Sequence, residues 1–167
     1  MPEKSSRRHE SLIPLSREHH YGLMLCLRIH RGLPLHKGDE EWVRGKAARA
    51  ARFVADDLAP HFRAEEESLF PAMREFIEAR ELLKELLSEH RELEALAARL
   101  CAPDVGQIVE ALGKFADLLV SHIRKEENEL FPIYERLVSP GVAAEVGREV
   151  RSVIGDATQP KEPDPLG

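Results

Sequence analysis

The chain is poor in cysteine, in aromatic residues and in long apolar runs. Cys26 and Cys101 are its two cysteines in 167 residues, and each sits among leucines at helical spacing. That is too few for a disulfide-stapled scaffold. With no signal peptide at the start, the expectation is a reducing cytoplasm and two buried, unpaired thiols. No apolar run approaches the roughly 18 residues of a transmembrane helix, so no membrane partner is expected. Basic residues cluster briefly near Lys4–Arg8, but the net charge is −6, which makes nucleic acid a poor partner. Strand-like alternation is missing, as are a glycine-rich phosphate loop and a nucleophile triad. Aromatics make up 5% of the chain, whereas Leu, Ala, Glu and Arg, all good helix formers, dominate.

Apolar residues recur at helical spacing from Leu15 to about Arg31. The stretch "RGLPLHKGDEE" (31–41) reads as a loop because of its glycines and proline. A second helix follows from about Glu41 to Glu78, with Pro60 and Pro71 expected to kink or interrupt it. A third spans Ala79–Cys101 with a leucine stripe through Leu83, Leu86 and Leu93. Asp104 is a good N-cap for a fourth helix reaching about Val138, with Gln107 at the capping-box position. Ser139-Pro-Gly141 ends it. Val142–Ile154 reads as a short fifth helix, and residues 157–167 as a disordered tail. The fold class is all-α, an up-down-up-down four-helix bundle over residues 12–138 with a C-terminal helix at 139–156.

"HFRAEEESLFP" (61–71) returns as "HIRKEENELFP" (122–132), with seven of eleven positions identical. Side chains at i and i+4 share a helix face, so His61 lies over Glu65 and His122 over Glu126. A single such pair reads as a surface ion pair; its repetition with the same Leu-Phe-Pro argues for a site. The duplication extends further, because "SREHHYGL" in the first helix resembles "SEHREL" in the third. Two helix-loop-helix units related by a pseudo-twofold axis would then gather histidines from four helices.

In the third helix the candidate is His90. In the first, His20 is favoured over His19, because His20 and His90 are each followed by a leucine at +3. Two histidines per unit could hold two metal ions, with Glu65 and Glu126 bridging them and room left for an oxo or hydroxo bridge and an open position. Mixed nitrogen and carboxylate ligands suit iron or manganese, and no cysteine lies close enough to suggest structural zinc. Zinc or manganese could still occupy such a site in a crystal. Glu66 and Glu127 lie about 100° round the helix, where they face solvent or reach ligand histidines. Phe70 and Phe131 read as core, as do Met24 and Leu27 in the first helix. His9, His30 and His36 read as solvent-facing.

The duplicated element, "EHH" at 18–20 and "EHREL" at 89–93 together resemble the hemerythrin-like, or HHE cation-binding, domains. The resemblance covers about residues 12–138. It implies two non-haem iron ions inside a four-helix bundle, with O2 or a related small ligand such as NO or peroxide reaching one iron. The family's LxxEH spacing falls on His19. The chain departs from the oxygen-carrying hemerythrins at two places. Glu94, not histidine, stands one turn after His90, and Glu126 replaces an aspartate. Enzymatic turnover of peroxide or NO, and iron or oxygen sensing or storage, therefore stand beside O2 binding.

Overall fold

The computed structural model describes residues 7–155. The predicted disordered tail at 157–167 and residues 1–6 lie outside this range. Five helices account for most of the described chain. Helix α1 is Ile13–His36, α2 spans 40–73, α3 is Arg80–Arg99, α4 spans 105–137 and α5 is Pro140–Ile154. The first four form an up-down-up-down bundle. The fifth packs on the start of α1 and the second half of α2, burying Ala143, Val146 and Val150. No helix among the described residues is long and apolar enough to cross a membrane.

The first connection differs from expectation. Residues 31–36 are helical, and the break is confined to Lys37, Gly38 and Asp39. Gly32 is there for packing rather than for a turn. A Cβ at Gly32 would stand 2.2 Å from the Trp42 indole, so the missing side chain is what lets α1 and α2 close. His36 stacks on the same indole at 5.0 Å. Pro34 falls in the last turn of α1, where it removes the donor to the His30 carbonyl but leaves little helix beyond it to kink. Asp39 then caps α2 by accepting from the Trp42 amide, and Asp104 caps α4 by accepting from that of Gln107.

The expected proline kinks take a specific form. Each of Pro60, Pro71 and Pro132 follows a π turn, at Val54–Leu58, Glu65–Leu69 and Glu126–Leu130. The Ala59, Phe70 and Phe131 amides reach back five residues, to the carbonyls of Val54, Glu65 and Glu126. A proline crowds the carbonyl four residues before it, and a widened turn relieves that clash without breaking the helix. The second and fourth helices therefore run on through their prolines.

The core is divided in two. One apolar cluster, at the end bearing the α1–α2 and α3–α4 connections, includes Ile29, Val43, Phe62, Leu93, Leu112 and Phe115. The other, at the opposite end, includes Leu15, Phe70, Met73, Leu86, Phe131 and Tyr134. Truncating one of the buried leucines to alanine typically costs about 2–5 kcal/mol. Met24 and Leu27 are not core, being 38% and 39% exposed, and they line an open groove between α1 and α4. Cys101 is exposed rather than buried, and both thiols are free. Burial and the charge of Asp117 push the Cys26 thiol up to about 12. Residues 8–12 are pinned to the bundle. His9 caps the short turn Glu10–Leu12, and the Ser11 and Tyr134 hydroxyls lie 2.9 Å apart.

Two glycines of α1 and α2 should respond oppositely to alanine. Gly32→Ala collides with Trp42 and should lower unfolding stability by about 1–3 kcal/mol. Gly45→Ala meets nothing within 4 Å. It should raise stability by about 0.5–1 kcal/mol through helix propensity. Urea unfolding of both variants, followed by circular dichroism, checks the signs.

Candidate metal centre

Between the two apolar clusters lies a polar layer. His19 on α1, His61 and Glu65 on α2, His90 on α3, and His122 and Glu126 on α4 are all buried there, with both glutamates at 0% exposure. They form two groups of potential metal ligands that share both carboxylates. One is His19, His61, Glu65 and Glu126; the other is His90, His122, Glu65 and Glu126. Within each group the donor atoms lie within 4.8 Å of one another. The first-helix member is His19. His20 is exposed on the outer face of the bundle against the Tyr21 ring, so the preference for it is corrected. Glu94 is outside the layer and pairs with Arg91.

The Nε2 atoms converge on the carboxylates. His19 Nε2 is 2.9 Å from Glu126, His61 Nε2 is 3.0 Å from Glu65, His90 Nε2 is 3.3 Å from Glu65, and His122 Nε2 is 3.2 Å from Glu126. These are close approaches of ligand atoms. Neither oxygen of Glu65 or of Glu126 has a hydrogen-bond partner, and neither does Nε2 of His90 or His122. The Nε2 atoms of His19 and His61 face each other at 3.1 Å. Six-coordinate ions with bonds of about 2.1 Å place adjacent donors roughly 3.0 Å apart. The donor set, its spacing and its orphaned buried atoms fit cations.

Each histidine is held from behind. The Nδ1–H groups donate to Glu127 from His19 (2.7 Å), to Glu18 from His61 (2.9 Å), to Glu66 from His90 (2.8 Å) and to Glu89 from His122 (2.8 Å). A carboxylate can only accept, so each bond fixes the tautomer that leaves Nε2 free to bind metal. Glu18 and Glu89 reach within their own units; Glu66 and Glu127 reach across to the other. Glu66 and Glu127 thus back histidines and do not simply face solvent, while Glu67 is exposed. On the outside, Arg8 pairs with Glu127, Arg91 with Glu66 and Lys125 with Glu89.

The dipeptides Glu18-His19 and Glu89-His90 are the signal that would have chosen His19. In each, the glutamate holds the histidine of the partner helix, so the pair aligns as a unit. The Leu at +3 was the weaker guide, because that position is Gly22 after His19 and Leu93 after His90.

The electrostatics follow from burial working against nearby charge. Burial disfavours a charged His61 ring, but Glu65 and Glu18 outweigh it and hold its pKa well above the usual imidazole value. His19 is raised in the same way, burial being overcome by Glu126 and Glu127. For His122, Glu126 and Glu89 overcome burial and raise the pKa to about 10. Burial alone would raise Glu126, yet His122 and His19 pull it well below the usual carboxylate value. The metal-free layer therefore balances its carboxylates with protons on imidazoles.

The two sides of the layer differ. Phe62 stacks on His90 at 3.7 Å and Phe70 at 5.5 Å, and His90 is fully buried on that side. Phe131 stacks on His19 at 5.6 Å, as Phe70 does on His90, but the place of Phe62 is taken by Ile123. A crevice of about 10 Å³ opens there, beside His19, Gly22, Asp57, His61 and Ile123.

Residues 14–134 match the sequence model of the hemerythrin HHE cation binding domain. Among curated proteins, a DNA nickase of Nostoc sp. (strain PCC 7120) is 34% identical over 80 residues, 47% of this chain. The match spans 22% of that protein's length. No solved structure matches the chain significantly.

Metal binding should release protons. His61 is held well above the ordinary imidazole value of about 6.5 and His122 is raised to about 10, so at pH 7 they hold protons that a cation must displace. Calorimetric titration with a divalent metal in buffers of different ionisation enthalpy should give buffer-dependent heats. The metal-free chain should also have a stability window. The contribution of His122 is fully present below about 6.5 and is lost as the pH rises through about 10. That of Glu126 is present above the usual carboxylate range and lost as the pH falls. Chemical unfolding from about pH 2 to 11 measures both edges.

Proposed function

The chain belongs to the hemerythrin HHE cation-binding domain family, and on that premise we propose that it is a non-haem di-iron protein that binds O2 or a related small ligand. One observation carries the reading: two buried pairs of histidines share the two carboxylates Glu65 and Glu126. His19 and His61 would hold one ion, His90 and His122 the other. Bound iron would supply the electrons for capturing or reducing a small oxidant. The protein's part is to bind, orient and exclude. The outer carboxylates fix each imidazole, the phenyl rings keep bulk water off the histidines, and the crevice beside Gly22 admits a ligand to the His19–His61 side. Its volume, about 10 Å³, is small. That favours a small ligand over an organic substrate or a nucleotide.

Nicking is an activity of the much longer Nostoc protein. We do not extend it to this chain, whose net charge is −6. Cytoplasmic location is part of the same proposal, as iron in this role needs a reducing supply.

Metal analysis and optical spectra, under argon and then air, test the reading. Two iron atoms per chain and a spectrum that changes on admitting air are expected; less than one atom per chain sinks it. Return of the original spectrum under vacuum assigns O2 binding, and irreversible change assigns sensing or turnover. His61→Ala and His122→Ala should each remove about one iron, as the halves are pseudo-symmetric. A silent variant would contradict the shared-carboxylate arrangement.

Gly22→Ala should leave iron content unchanged and slow NO or azide association. A Cβ there would stand 3.3 Å from the tip of Ile123, in the crevice. A tenfold slowing, about 1.4 kcal/mol on the barrier, is the expected scale in stopped-flow traces.

A further inference from the structure

The two units match closely around the polar layer, and one mismatch is informative. Glu89-His90-Arg91 in α3 corresponds to Glu18-His19-His20 in α1. Arg91, the residue after His90, holds Glu66, and Glu66 holds His90 Nδ1. His20 occupies the corresponding place after His19 but is exposed and lies against Tyr21. Glu127, the carboxylate behind His19, is held instead from outside the bundle by Arg8.

Arg8 is built into its place. Its guanidinium forks between Glu127 and Glu135, at 2.7 Å from each, and donates also to the Glu127 carbonyl at 3.1 Å. It lies 5.0 Å above the Phe131 ring, whose own partner is His19 at 5.6 Å. His19 is thus supported at its Nδ1 through Glu127 and along its ring through Phe131, and Arg8 touches both supports. The segment carrying it is fastened by the His9 amide on Glu135 and by Ser11 on Tyr134. The Arg8 side chain is 25% exposed, whereas Arg91 is 53% exposed and more open to screening by solvent.

We propose that Arg8 is a positioning residue that completes the His19 half of the centre, making residues 8–12 a strap on which one of two metal ions depends. The inference rests on the two-metal reading above. Arg8 holds Glu127 in line with His19 Nδ1, so its loss frees the imidazole to turn away from the shared carboxylates. Loss of such outer support typically lowers metal affinity about 10- to 100-fold. His90 and His122 have their own supports, and the effect should stop at one ion.

The test uses the full chain with Arg8→Ala, Arg8→Lys and Arg91→Ala. Each is loaded anaerobically with ferrous iron and challenged with graded chelator, and retained iron is measured. Arg8→Ala should give up one equivalent at about 10- to 100-fold lower chelator and keep the other as the unaltered chain does. Arg8→Lys should fall between, since an ammonium keeps the charge but not the fork. Arg91→Ala should show a smaller loss. Retention of both equivalents, or loss of both together, would overturn the proposal. So would a fall in metal-free thermal stability large enough to explain the release.

Should the unaltered chain hold less than one iron atom, the proposed function fails first. Arg8 is then judged in the metal-free protein by proton exchange at the imidazole Nδ1 atoms. Faster exchange at His19 than at His90 in Arg8→Ala supports the strap. Equal rates at the two rings dispose of it.

Discussion

Two carboxylates with no exposed surface and no hydrogen-bond partner, Glu65 and Glu126, are the constraint around which the bundle is arranged. A charge out of water is costly unless something positive meets it. Here the positive charge must come from protons on the imidazoles or from cations between them. The four histidines, their four outer carboxylates and the cations on three of those carboxylates form shells of alternating demand around that pair. The apolar clusters above and below supply the hydrophobic stabilisation. The polar layer, by contrast, is a standing liability that a bound cation turns into an asset.

Precision in such a layer depends on the backbone. Glu65 and Glu126 each begin a π turn, and each turn is followed within two residues by Phe70-Pro71 or Phe131-Pro132. One short stretch therefore brings together a carboxylate shared by both histidine pairs, a widened turn, a ring that stacks on a histidine and the proline that makes the turn favourable. The repeat in the sequence is the repeat of this whole device. The mismatches between its copies, Phe62 against Ile123 and Arg91 against His20, make the two halves chemically distinct although their ligands are the same.

The bundle was legible because leucine periodicity and two Asp-led or Gly/Pro-led breaks leave few alternatives. The histidine–glutamate pairs on α2 and α4 were legible because they are duplicated. The first helix was harder. His19 and His20 are adjacent, both neighbour leucines, and a 100° difference in direction decides between them. The region 31–36 was misread since glycine and proline usually signal a turn, whereas Gly32 serves a tryptophan on the next helix. Which histidines Glu66 and Glu127 back could not be read, as those pairings cross between units. Arg8 was hidden for the same reason: its partners, Glu127 and Glu135, are more than a hundred residues away.

The π turn at Val54–Leu58 has no equivalent on α4, and it changes how α2 must be counted. An α-helix advances about 100° per residue. One additional residue in a turn rotates everything after it by that amount relative to everything before. Helix α2 is thus a single rod with more than one angular frame. Residues 40–53 are phased to the apolar cluster at the connection end, and the segment from Ala59 to Ala64 to the histidine layer. A helical wheel drawn straight through residues 40–73 would assign inside and outside incorrectly beyond residue 58. So would an alignment of the two units that places all ten additional residues of the first (42 from His19 to His61, against 32 from His90 to His122) in the loop at 37–39, rather than one of them beside Pro60.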